Sequence, residues 1–163
     1  MLQTLRNKAM IKFKKTAILC VSALMFSGAI AAGDFDKEID GRQSYMGVLG
    51  YNMGILGAMA GEKMPYDADL ASAAARNLAL AAAMNNGSMW PQGSDMDSTE
   101  GTWAKADLWQ NFPIVMDQLG NLKTYSEALA TNAGNGLSSL QAGMKGVGDS
   151  CKECHKRFRA KKN

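Results

Sequence analysis

Residues 151–155, Cys-Lys-Glu-Cys-His, place two thiols and an imidazole within five positions and include the only histidine of the 163-residue chain. On a helix Cys151 and Cys154 stand three apart and His155 four from Cys151, so all three project from nearly one face. C-x-x-C-H is the attachment spacing of c-type haem. The thiols bond to the two vinyl groups, and His155 beneath the macrocycle offers a ring nitrogen to iron as proximal ligand. Structural zinc wants four Cys, His or carboxylate ligands, whereas here two thiols and one histidine are clustered together. A thioredoxin-like pair opens a helix in a βαβ setting, and no strands are predicted. One covalent haem c on Cys151, Cys154 and His155 is therefore expected.

Only eight residues follow His155 and none is methionine, so the opposite side of the iron must be furnished from upstream. The segment around Arg42 and Met46 is the candidate. An inward arginine is costly unless paired, and a guanidinium suits the carboxylates of haem propionates; the alternative is that Arg42 sits at the helix margin and snorkels to water. Met46, one turn on, is either core filling, for which methionine is well adapted, or an iron ligand.

Four helical segments must position these groups. The first runs from about Phe35 to Ala60, with the apolar line Ile39, Arg42, Met46, Leu49, Met53, Leu56, Ala60 stepping by three and four. Gly61 and Pro65 end it, and Asp67 can cap an alanine-rich second helix reaching about Asn85. Residues 87–102 are polar and aperiodic, a crossover too long for a helix hairpin. The third segment, from about Ala104 to Ala130, carries Leu108, Phe112, Val115, Leu119, Leu122 and Leu129, interrupted by Ser126. Pro113 should kink or restart it. The fourth, from about Gly136 to Lys161, shows the most regular seam: Leu137, Leu140, Met144, Val147, Cys151, Cys154, Phe158. Four such helices bury their seams most economically as an all-α antiparallel four-helix bundle, with the haem near its C-terminus.

Residues 1–31 stand apart. Five basic residues and no acid precede the apolar run "TAILCVSALMFSGAI", and Ala29 and Ala31 form an A-x-A cleavage site, so a cleaved secretory signal peptide is expected before one domain at 32–163. The apolar run is too short for the roughly 20 residues of a spanning helix, so no membrane association is expected after cleavage. Cys20 leaves with the signal; Leu19 before it is too large for a lipid-attachment box. Removing this segment turns eighteen basic residues into thirteen against fifteen acids, and a net charge of +3 into −2. The basic tail Lys156, Arg157, Arg159, Lys161, Lys162 then reads as cations at a helix C-terminus, not as a nucleic-acid surface. Trp90, Trp103 and Trp109 either wall the haem crevice in part or, as expected, serve in ordinary core packing.

With "GRQSYMGVLGYNMG" on the first helix, "MPYD" opening the second and "CKECHKRFR" ending the fourth, the chain resembles the cytochrome c′ family of class II c-type cytochromes over essentially all of residues 32–163. The resemblance implies a periplasmic protein with a five-coordinate, histidine-ligated iron that binds nitric oxide and carbon monoxide, with nitric oxide sequestration or tolerance as its role. It implies that Met46 crowds the vacant iron face, that Arg42 contacts the haem, and that Arg159 lines the proximal side. It further implies a homodimer joined through the first two helices, where Gly47, Gly50, Gly54, Gly57 and Gly61 form a second face. Each glycine costs a helix about 1 kcal/mol against alanine, which close contact could offset.

Three functions compete. Low-spin members of the class use a methionine at this position as sixth ligand; if Met46 does so, the protein is an electron carrier with a small redox partner. Arg42 within Arg-Gln-Ser favours the gas-binding branch. An enzyme such as a peroxidase is not expected, because it wants a distal acid or base and the one histidine is committed to iron.

Overall fold

The computed structural model describes residues 35–161, so the signal-peptide reading of residues 1–31 lies outside the described residues, as does Lys162. Five helices follow in order: α1 Asp36–Ala60, α2 Ala68–Ala82, α3 Asp107–Gln110, α4 Phe112–Asn132 and α5 Leu137–Phe158, with a single 3-10 turn at Gly87–Met89. Among the described residues the nearest thing to a strand is one isolated antiparallel bridge between Ala104 and Arg159.

The four long helices close a ring in which α1 and α4 each pack against both α2 and α5. Short loops join α1 to α2 and α4 to α5, which makes each pair antiparallel neighbours. The α1–α5 pair is antiparallel too: Gln141 near the start of α5 donates to the carbonyl of Ala60 at the end of α1, 2.9 Å away. Asp67 caps α2, its Oδ1 accepting from the Leu70 N–H at 2.8 Å. At this end of the bundle the Tyr66 hydroxyl accepts from the Gly136 N–H and donates to the Ala133 carbonyl, tying the two interhelix loops together.

The third segment restarts at Pro113, one of the two outcomes expected there: the chain breaks at Asn111 and α4 begins with Pro113 in its first turn, where a missing N–H leaves no intrahelical bond unmade. One expectation needs correction. In α1 the buried line is Ile39, Arg42, Tyr45, Leu49, Asn52, Leu56 and Met59, so Tyr45, Asn52 and Met59 replace Met46, Met53 and Ala60. Asn52 can sit inside because its amide donates to the Val48 carbonyl at 2.8 Å. Met46 and Met53 are half-buried and turn toward a neighbouring cleft.

Burial divides into two clusters. The main core runs along all four long helices, from Leu56, Met59, Leu78 and Leu140 up to Tyr45, Leu122 and Val147. A smaller cluster of Leu108, Val115 and Phe158 gathers Trp90, Trp109, Phe112 and Leu119 beneath the crossover. Cys151 packs against the first cluster and Cys154 against the second.

Candidate haem site

At the boundary between those clusters a cleft opens with two lobes. One, of about 370 Å³, is walled by α1 and the crossover and includes Arg42, Trp90, Thr102, Trp103 and Leu108. The other, of about 270 Å³, is walled by α1, α4 and α5 and includes Leu49, Met53, Leu119, Leu122 and Cys151. Met46, Cys154, His155 and Arg159 line both lobes. The helical spacing of Cys151, Cys154 and His155 thus lays all three along one wall, while α1 brings Met46 to another.

The electrostatics suit neutral ligands. Burial lowers the His155 pKa, and the Arg159 charge lowers it further, which leaves the imidazole unprotonated and able to give a lone pair to a metal. Burial pushes both thiols up, with Cys151 adding to the shift at Cys154. Both cysteines are free and half-buried. Tyr45, which the sequence reading passed over, packs nearby: burial raises its phenol pKa, Asn86 opposes this, and Cys151 adds to the rise.

Arg42 settles one of the open alternatives. It is only 3% exposed and turns inward, not out to water. Its guanidinium donates to Ser94 Oγ at 2.7 Å, to the Ser94 carbonyl and to Thr102 Oγ1 at 2.6 Å. The faces of Trp90 and Trp109 flank it at 5.2 and 5.9 Å, a favourable cation–π arrangement. Burial lowers its pKa and the Asp95 charge opposes this. Trp90 and Trp103 line the cleft, so the tryptophans do more than fill the core; they lie on and beside an aperiodic crossover, where no hydrophobic spacing could have revealed it.

Arg159 is exposed at the C-terminal cap of α5 and accompanies His155 along both lobes. Its neighbours are pinned to the crossover: the Lys105 N–H donates to the Phe158 carbonyl at 2.9 Å and the Ala160 N–H to the Trp103 carbonyl at 2.8 Å. Arg157 binds Asp107 and Asn111, fastening α5 to the α3–α4 break. The chain beyond His155 is therefore held against the cleft.

The family model described as Cytochrome C′ matches residues 37–159. The chain belongs to the cytochrome c′ family. Cytochromes c′ carry a single covalent haem c, and this protein is accordingly a c-type haem protein. It is similar to cytochrome c-554 of Cereibacter sphaeroides, 32% identical over 130 residues that cover 80% of this chain and 98% of that one. It is 30% identical over 148 residues to a cytochrome c′ from the same species, covering 91% and 99%. A solved cytochrome c′ from Rhodobacter sphaeroides superposes with a TM-score of 0.77 at 32% identity, covering 80% of this chain and all of that one.

The residues fit the cofactor. A cytochrome c′ haem needs two thiols, an unprotonated imidazole and an apolar slot, and the cleft offers these together with a buried guanidinium that has no carboxylate within ion-pair distance among the described residues.

Proposed function

We propose that this protein is a periplasmic gas-binding haem protein, with a five-coordinate iron held by His155, that takes up nitric oxide and carbon monoxide and serves in nitric oxide sequestration or tolerance. Cys151 and Cys154 would hold the haem through thioether bonds, each thiol adding its sulfur and hydrogen across a vinyl group without net oxidation. When bound, the haem iron supplies the gas-binding chemistry. His155 would give its lone pair to the iron from the α5 wall, Met46 would limit the space for a ligand from the α1 wall, and Arg42 and Arg159 contribute positive charge at the cleft. The observation that carries this reading is Met46 itself, an apolar side chain bordering both lobes beside His155 with no second histidine and no carboxylate lining either lobe. The same lining supports binding without catalysis, since peroxide turnover wants a distal acid or base.

Variants of a cytochrome c′ from Alcaligenes xylosoxidans, alike in fold at 24% and 22% identity, have been solved with nitric oxide and with carbon monoxide bound. Periplasmic location accords with the N-terminal segment, and among the described residues no helix is long and apolar enough to cross a membrane.

Magnetic resonance and electronic spectra of the ferric protein test the proposal. High-spin iron is expected in the native protein and in Met46→Ala, with faster carbon monoxide association in the variant because the crowding side chain is gone. A low-spin native iron that Met46→Ala turns high-spin would overturn it and make Met46 the sixth ligand of an electron carrier.

A further inference from the structure

Arg42 spends three of its five N–H donors on the crossover, and the manner in which Ser94 and Thr102 receive them is unusually constrained. Ser94 is fully buried, and its hydroxyl donates to the Pro91 carbonyl at 2.8 Å, so toward Arg42 it acts as an acceptor of fixed direction. Thr102 Oγ1 likewise accepts from the Ala104 N–H at 3.2 Å and from Arg42 at 2.6 Å. The indoles of Trp90 and Trp109 close in on the guanidinium, and the Trp109 indole N–H is itself tied to the Trp90 carbonyl at 3.1 Å. The Nε–H and one Nη1–H make no hydrogen bond among the described residues, and Arg42 lines the cleft. A buried cation whose hydrogen-bond partners are all neutral calls for an anion.

We propose that Ser94 and Thr102 are positioning residues that aim Arg42 at a haem propionate. This rests on the reading that the haem occupies the cleft with Arg42 toward a propionate. Ser94 and Thr102 engage both Nη2 donors and one Nη1 donor, which fixes the orientation of the guanidinium and leaves the Nε–H and one Nη1–H, on different edges, for charge-assisted hydrogen bonds to a carboxylate. They also make the crossover part of the haem site: the loop that holds Arg42 four residues before Met46 also holds Phe158 and Ala160 just after His155.

The test compares Ser94→Ala, Thr102→Val and Thr102→Ser with Arg42→Gln in the haem-loaded protein. The readouts are the ferric-to-ferrous ratio at a fixed poise and the propionate-bending band in resonance Raman spectra. Loosening Arg42 leaves the propionate charge less compensated, which favours the more positive ferric state. Ser94→Ala and Thr102→Val are expected to shift the ratio toward ferric by at least about threefold and to move the band, while Thr102→Ser, which keeps the hydroxyl, restores both. If Arg42→Gln changes both readouts and the hydroxyl variants change neither, the positioning role is wrong though Arg42 still meets the propionate. If Arg42→Gln also changes neither, the propionate reading fails and the proposal with it. An equal shift in Thr102→Val and Thr102→Ser would likewise overturn it, because a hydrogen-bonding role requires rescue.

Discussion

Arg42 and Ser126 are both buried polar residues, and the structure gives them opposite energetics. Arg42 makes three hydrogen bonds, so Arg42→Ala would remove all three and leave the buried Ser94 carbonyl unpaired, and should cost about 2 kcal/mol or more in chemical denaturation. Ser126 lies at 0% exposure in α4, and its hydroxyl has no hydrogen-bond partner among the described residues. Its desolvation is uncompensated. Ser126→Ala should therefore stabilise the protein by about 1 kcal/mol, visible as a higher denaturation midpoint with unchanged haem spectra; a lower midpoint would mean that the hydroxyl is satisfied. From sequence Ser126 was visible as an interruption in an apolar line, but not whether its hydroxyl had found a partner. The two readings of Arg42 were equally legible, and only its partners from 52 and 60 residues downstream decided between them.

The close approach of α4 to α5 is set at the scale of the helices by two glycines that face different neighbours. A Cβ at Gly143 would come within 2.7 Å of Leu129 Cδ1, and Leu129 is fully buried with nowhere to go. A Cβ at Gly146 would meet the Tyr125 ring at 2.7 Å, but Tyr125 is 45% exposed and can swing outward. Alanine improves helix propensity by about 1 kcal/mol at either site, whereas overpacking a core costs about 1–3 kcal/mol. Gly143→Ala should thus destabilise, and Gly146→Ala should be near neutral or mildly stabilising; thermal unfolding of the two variants side by side checks this, and equal losses would refute the distinction. The helix boundaries themselves were readable, because Asp67, Pro113 and the seam of α5 act through local chemistry. The buried line of α1 was misread by one position because pattern reasoning discounts Tyr45 and Asn52 as polar, while a ring of four helices accepts any side chain whose polar atoms are met or whose ring fills the space.

At the scale of the whole molecule, α1 and α2 leave an apolar surface around a shallow depression. Val48, Tyr51, Leu80 and Met84 are exposed there, Tyr51 and Leu80 at 71% and 73%. A homodimer joined through the first two helices would bury this face. Of the α1 glycines, Gly47 and Gly50 border the cleft, and an added Cβ at Gly47, Gly50 or Gly54 would meet nothing within 4 Å in the single chain. Tyr51→Lys with Leu80→Glu is accordingly expected to yield a monomer in sedimentation or light scattering with the haem spectrum intact, and a variant that stays dimeric would move the interface elsewhere.

By itself the sequence determined that Cys151, Cys154 and His155 stand at the attachment spacing of c-type haem on one helix, and that four apolar seams demand a bundle, since both follow from spacing along a single element. It could not say that Arg42 turns inward between Trp90 and Trp109, that Met46 borders both lobes, or that an aperiodic crossover completes the site. Those are contacts between residues far apart in the chain. They depend on how four helices settle against one another, and only the folded molecule brings the crossover, the α1 arginine and the end of α5 to one cleft.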